Sequence, residues 1–81
     1  MELFEEVSGV VATVAKVQPP YTDDQHLYND LGLESVQALN LLLSLEERFG
    51  VSLDDQHFVR CRTVAALADL VRERRSQEEH P

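Results

Sequence analysis

The chain has 81 residues, of which 43% are apolar, and its 15 acidic and 7 basic side chains give a formal charge of −8. A chain of this length forms one domain that buries only about 60–65% of its unfolded surface, so there is little room for an enclosed catalytic cleft. Its negative charge repels phosphate backbones and disfavours a nucleic-acid partner.

The cellular setting is indicated by cysteine usage and by the amino-terminal segment. Cys61 is the single cysteine, so no internal disulfide can form. Glutamates stand near the amino terminus where a signal peptide needs basic residues. No run approaches the roughly 20 apolar residues of a membrane span. We therefore expect a cytoplasmic monomer without membrane contact.

The first element is predicted to be a helix over residues 2–17. Its apolar residues recur at spacings of four and three and so share one face: Leu3, Val7, Val10, Val14 and Val17. Pro19 and Pro20 end this helix because proline lacks an N–H and restricts the preceding residue. A long connection follows over 18–34, and we expect three leucines to hold it against the core: Leu27, Leu31 and Leu33.

The second helix has the clearest pattern and is predicted over residues 35–49. Apolar side chains are so frequent that the helix should be buried on more than one side: Val36, Leu39, Leu41, Leu42, Leu43, Leu45 and Phe49. Ser35 suits the N-cap position, and Gly50 suits the left-handed residue that often ends a helix.

Two further helices complete the predicted fold. A short one is expected over 54–59 with Ser52 or Asp54 as its cap, and Thr63 should cap a last helix that ends near Glu73. Its inward face is formed by four residues: Val64, Leu67, Leu70 and Val71. The pattern predicts an all-α, four-helix bundle with a long first loop. The domain spans residues 1–73, and a polar tail spans 74–81.

The residues from Asp30 to Val36 lead directly from the loop into the second helix, in the order Asp-Leu-Gly-Leu-Glu-Ser-Val. Ser35 there offers a hydroxyl at a helix N-terminus, where unpaired N–H groups and the helix dipole stabilise an attached anion. By itself, a serine at such a position is most often a simple N-cap.

The whole chain, however, resembles the acyl carrier protein family. That family has Asp-Leu-Gly, then Asp-Ser-Leu at the start of its second helix, then a run that ends in Leu-Glu-Glu and Phe. The matching segments here are Asp30-Leu31-Gly32, Glu34-Ser35-Val36, Leu45-Glu46-Glu47 and Phe49, followed by Val51, Leu53, Thr63-Val64 and Leu70. The similarity extends from about Leu3 to Val71.

The resemblance implies that Ser35 receives phosphopantetheine from coenzyme A and that the arm holds an acyl or aminoacyl group as a thioester. Leu33, Glu34 and Val36 would border the arm and help a phosphopantetheinyl transferase to recognise the site. Glu46 and Glu47 would help to dock acyl-loading, synthase or transferase enzymes that have basic surfaces. Such a protein is a carrier for fatty-acid, polyketide or related biosynthesis, has no catalytic activity of its own and needs no metal.

This chain departs from the family pattern in its second helix. Glu34 replaces the usual Asp and Val36 replaces the usual Leu, and the helix carries a net charge of only −1 because three other residues stand where acids are common: Gln37, Asn40 and Arg48. These departures favour a specialised pathway, such as polyketide, aminoacyl or modified-lipid assembly, over housekeeping fatty-acid synthesis.

Two alternative functions remain open at this point. The acidic surface could serve an interaction domain that never carries an arm, or Ser35 could be the nucleophile of a small hydrolase. The three histidines lack metal-ligand spacing and are expected in loops or on the surface: His26, His57 and His80. Cys61 lies between two arginines that could activate its thiol, but it is more simply explained as a small buried residue.

Overall fold

The computed structural model describes residues 3–79, and the side chains of residues 3–76. Its regular elements are four helices: α1 (Leu3–Ala12), α2 (Ser35–Phe49), α3 (Asp55–Arg60) and α4 (Val64–Glu79). Helix α1 packs against α2 and α4, and α3 packs against α4. The predicted all-α bundle with a long first loop is confirmed. Glu2, the predicted start of the first helix, lies outside the described residues.

Helix α1 ends at Ala12, five residues before its predicted end. The cause is Thr13, whose hydroxyl donates to the carbonyl oxygen of Val10 at 2.6 Å and competes with helical bonding of the backbone. The N–H of Thr13 also bonds Val10, which tightens the last turn. Val14 is consequently only half-buried and Val17 is 41% exposed, so neither continues the buried stripe as expected.

The first loop is held against the bundle as expected. Leu27, Leu31 and Leu33 are buried. The N–H of Leu27 donates to the carbonyl of Arg62 at 2.7 Å, and an isolated bridge joins His26 to Thr63. The loop is therefore fastened to the start of α4 by its backbone as well as by its leucines.

The predicted caps of α3 and α4 are confirmed, but α4 is longer than predicted. Asp54 accepts the N–H of Gln56 at 3.1 Å at the start of α3, and Thr63 accepts the N–H of Ala66 at 3.1 Å. Helix α4 continues to Glu79, beyond the predicted end at Glu73. No proline or glycine interrupts residues 74–79, and the Arg75 guanidinium lies 5.9 Å from the centre of the Phe49 ring.

The core is one cluster to which all four helices and the first loop contribute. Its fully buried members are Val7, Val11, Leu27, Leu31, Leu41, Leu45, Leu67, Val64 and Val71. From α2 only one face enters this core, through Leu41, Leu42 and Leu45. The expectation that α2 is buried on more than one side is wrong, because α3 has only six residues and covers little of it.

Candidate functional site

Ser35 is exposed and is the first residue of α2, but it is not the N-cap. Glu34 occupies that position in an extended conformation and forms a capping box with Gln37. The predicted N-cap is therefore corrected by one residue. An N-cap hydroxyl accepts a hydrogen bond from an N–H of the first turn, whereas the Ser35 hydroxyl is not required for capping.

Gly32 allows the first loop to change direction just before α2 begins at Ser35. Its φ of +74° lies in the left-handed region that favours glycine, and an added Cβ would come within 3.2 Å of Cδ of Lys16. The N–H of Lys16 also donates to the carbonyl of Leu31 at 3.2 Å. Lys16 thus covers the turn with its methylene chain and its backbone.

Leu33 lies in the core and supports the loop rather than facing solvent. Its side chain is 5% exposed, and its N–H donates to the carbonyl of Leu27 at 3.1 Å. By contrast, Glu34 is exposed, and Val36 is 72% exposed on the other side of Ser35. Of the three residues expected to flank an arm, two are therefore accessible beside the hydroxyl.

Gln37 joins the start of α2 to the segment that follows α1. Its Nε2 donates to the carbonyl of Val14 at 3.0 Å, and its Oε1 accepts the N–H of Glu34 at 2.9 Å. Nearby, Nζ of Lys16 lies 3.5 Å from Oε2 of Glu34, but both side chains are largely exposed, so this ion pair contributes little. This role of Gln37 was not predicted, although a glutamine three residues after an acidic residue is a usable capping signal.

An apolar groove of about 320 Å³ begins at Ser35 and runs between α2 and α3. It is lined by Tyr28, Ser35, Ala38, Leu39, Leu42, Asp55, Phe58 and Val59. Leu39 and Val59 are 56% and 60% exposed, so the expected inward position of Leu39 is wrong. These lining residues include no histidine that could serve as a base for Ser35. The groove can shelter an apolar group attached beside it.

His26 holds the part of the first loop that forms one wall of the groove. Nδ1 of His26 accepts the N–H groups of Tyr28 and Asn29 at 3.2 and 3.1 Å, so this nitrogen carries no proton in this arrangement. The rings of His26 and Tyr28 meet edge to face with centroids 5.8 Å apart. Burial raises the pKa of the Tyr28 hydroxyl above its ordinary value of 10.0, so that group stays neutral.

The two candidate docking glutamates face different surroundings. Glu47 is exposed, whereas Glu46 is half-buried and its Oε2 accepts the N–H of Leu53 at 2.9 Å. The Glu46 side chain therefore holds the connection between α2 and α3. Glu47 instead belongs to what we call the outer face of α2, a stripe of four exposed residues at helical spacing: Val36, Asn40, Leu43 and Glu47.

The other candidate side chains have structural surroundings. Cys61 is buried, its Sγ lies 3.4 Å from the carbonyl of His57, and burial raises the pKa of its thiol, which agrees with a packing role. His57 lies on α3 with Nδ1 3.1 Å from Oδ2 of Asp54, whose pKa is lowered, first by the hydrogen bond from the Gln56 N–H. His80 lies outside the described residues.

Comparison with known proteins identifies the family. Residues 5–71 match the family model described as a phosphopantetheine attachment site. The acyl carrier protein of Campylobacter hominis is 39% identical over 56 residues, which cover 68% of this chain and 71% of that protein. The acyl carrier protein of Coprothermobacter proteolyticus is 30% identical over 71 residues, which cover 86% and 87% of the two chains.

The chain belongs to the acyl carrier protein family. Its fold agrees with that of a solved member, the acetyl actinorhodin acyl carrier protein from Streptomyces coelicolor, with a TM-score of 0.72, 21% identity, and coverage of 93% of this chain and 92% of that one. None of the helices in residues 3–79 is long and apolar enough to cross a membrane.

The prosthetic group of an acyl carrier protein is a covalently attached phosphopantetheine, and the residues around Ser35 fit such a group. An exposed hydroxyl can take the covalent bond. The N-terminus of α2 would stabilise an anionic phosphodiester formed beside it. The groove that begins at the same residue offers apolar surface along the path of an arm.

Proposed function

We propose that this chain carries acyl or aminoacyl intermediates as thioesters on a phosphopantetheine arm attached to Oγ of Ser35. The observation that carries this proposal is the exposed hydroxyl at the first residue of α2, next to an apolar groove. During attachment Oγ of Ser35 would bond to the phosphorus that carries the pantetheine, and the bridging P–O bond of the coenzyme A diphosphate would break. The nucleotide phosphate leaves, and the hydroxyl proton passes to a base of the transferase. Once attached, the arm supplies a terminal thiol that forms the thioester.

The surroundings of Ser35 supply stabilisation and recognition. The positive end of the α2 dipole offsets the charge of the phosphodiester, while Lys16 partly offsets the charge of the neighbouring Glu34. Glu34 and Val36 would contact a phosphopantetheinyl transferase on either side of the hydroxyl, and buried Leu33 would keep the loop in place beneath them.

The groove between α2 and α3 would receive the proximal part of the arm or the first carbons of the acyl group. Its volume of about 320 Å³ lies at the lower end of the range of about 300–1,000 Å³ for small-molecule sites, which suits a short apolar group. Chemical-shift changes at Leu39 and Val59 on acylation of the arm would support this occupancy, and unchanged shifts there would rule it out.

Partner enzymes would dock on the outer face of α2. Glu47 is the acidic member of this face, and Val36 and Leu43 add exposed apolar surface at 72% and 54%. A partner with a basic edge beside an apolar patch fits that chemistry. The low charge of this face supports a specialised pathway, such as polyketide, aminoacyl or modified-lipid assembly. The net charge of −8 favours a monomer, and we place its action in the cytoplasm.

The attachment site can be tested by intact mass spectrometry after incubation with coenzyme A and a promiscuous phosphopantetheinyl transferase. The wild type should gain the mass of one arm, and Ser35→Ala should gain none because it lacks the accepting oxygen. Ser52→Ala is the matched control, since Ser52 is also an exposed serine near a helix start, and it should be modified like the wild type.

A wild type that stays unmodified with several transferases would refute attachment and leave the alternative, an acidic interaction domain without a prosthetic group. Modification of the Ser35→Ala variant would show that the arm is attached to another residue.

A further inference from the structure

Gln37 uses both ends of its side-chain amide, and each end meets a different part of the chain. Its Nε2 donates to the carbonyl of Val14 at 3.0 Å, and its Oε1 accepts the N–H of Glu34 at 2.9 Å. Both partners are backbone groups near helix ends, where the helices themselves leave carbonyls and N–H groups without partners. One side chain therefore stabilises the exit from α1 and the entry into α2 at once.

Only an amide can make both contacts at this length. A glutamate could accept the Glu34 N–H but has no proton to donate to the Val14 carbonyl when ionised, and a lysine could donate but not accept. The two hydrogen bonds together therefore require the amide of a glutamine at this position.

Ser35 lies between Glu34, whose N–H is bonded to the Gln37 side chain, and Gln37 itself, which follows Ser35 by two positions. The first turn of a helix frays readily when its end is not tied down. The hydrogen bonds of Gln37 tie it to the segment after α1, and the methylene chain of Lys16 covers the preceding turn at Gly32.

We propose that Gln37 is a positioning residue that holds Ser35 in the conformation a phosphopantetheinyl transferase accepts, and that this role excludes an acidic residue here. The inference rests on the proposed attachment at Ser35. Loss of the Val14 contact would lower the populated fraction of that conformation, and the apparent affinity of the transferase would fall in the same proportion.

The test compares three variants of the full chain with the wild type. Gln37→Glu keeps an acceptor for the Glu34 N–H and loses the donor, and Gln37→Met loses both. Gln56→Glu makes the same substitution at an exposed position of α3, outside both the groove lining and the outer face of α2, and so controls for charge. With a promiscuous transferase, the KM for the carrier should rise about threefold or more in both Gln37 variants and stay unchanged in Gln56→Glu.

Nuclear magnetic resonance gives a second readout that needs no arm. In the wild type, the side-chain amide protons of Gln37 should show contacts to Val14, and exchange of the Glu34 N–H should be slow. That exchange should stay slow in Gln37→Glu and become fast in Gln37→Met, because only the carboxylate still accepts the proton. Thermal unfolding of each variant would verify that it is folded under the assay conditions.

Equal KM values for Gln37→Glu and Gln56→Glu would overturn the positioning role, as would the lack of any contact between the Gln37 amide and Val14. If no transferase modifies the wild type, the attachment proposal fails, while the exchange pattern still decides whether Gln37 orders the start of α2. The two failures are therefore distinguishable.

Discussion

The hydroxyl of Ser35 is free for chemistry because a neighbouring pair of side chains performs the capping. Glu34 and Gln37 satisfy the start of α2, and Ser35 becomes its first helical residue. The sequence predicted the first residue of α2 correctly. It did not predict the cap, since serine is a stronger N-cap residue than glutamate when each is considered alone.

Side-chain roles that depend on tertiary contacts were harder to predict. Gln37 was noted only as a departure from an acidic pattern, and its bond to Val14 spans 23 positions of the chain. Glu46 belongs to a Leu-Glu-Glu motif that indicated docking, yet its carboxylate accepts the backbone N–H of Leu53. Neither contact has a local signal, because each needs two segments to be placed by the rest of the fold.

Substitution of two glycines by alanine should change the free energy of unfolding in opposite directions. Gly32→Ala should lower the free energy of unfolding by about 1–2 kcal/mol, because Gly32 is left-handed and its Cβ would press on Lys16. Gly9→Ala should raise it by about 0.5–1 kcal/mol, because Gly9 lies inside α1 and its Cβ would meet nothing within 4 Å. Urea denaturation of both variants measures the difference, and changes of the same sign would contradict this account of the Gly32 turn.

Among the helices, the accuracy of the predicted bounds follows the strength of the local signals. The bounds of α2 are confirmed because dense apolar spacing is followed by Gly50, which has a φ of 65°. Helix α1 was predicted too long because apolar spacing continues through Val14 and Val17, whereas the hydroxyl of Thr13 ends it. Helix α4 was predicted too short because the polar residues 74–79 continue no apolar stripe, although no proline or glycine interrupts them.

The two sides of α2 should respond differently to the same substitution. Leu41 is 1% exposed, so Leu41→Ala should leave a cavity and lower the free energy of unfolding by about 2–5 kcal/mol. Leu39 is 56% exposed on the groove, so Leu39→Ala should cost less than about 1 kcal/mol. Chemical denaturation of the pair tests the assignment, and an equal loss from both would mean that the groove is closed in solution.

Across the whole molecule, negative charge is concentrated away from the outer face of α2. Residues 1–34 contain seven acidic residues and Lys16 as their single basic residue, whereas α2 has a net charge of −1. Composition revealed the total charge, but the fold was needed to show that Glu46 is engaged internally and Glu47 is not. Of the two glutamates in the Leu-Glu-Glu motif, only Glu47 therefore adds negative charge to the exposed surface of α2.

This distribution predicts how charge reversal affects loading by a partner enzyme. Glu47→Lys should slow loading of the arm about two- to fivefold at low salt, and the loss should shrink as salt screens the interaction. Glu73→Lys is the control, because it makes the same reversal at an exposed position of α4. Rates of acyl transfer at several salt concentrations provide the measurement. Equal slowing by both variants would mean that net charge, and not the outer face of α2, governs docking.

The burial of Cys61 has a consequence for the chemistry of a loaded carrier. Its thiol is packed beneath the surface and is harder to ionise than an ordinary cysteine, so it makes a poor nucleophile. A cargo thioester on the mobile arm would therefore not be lost to self-acylation of the protein. For the same reason, a maleimide probe applied to the folded, arm-bearing protein should label the pantetheine sulfur and spare the polypeptide.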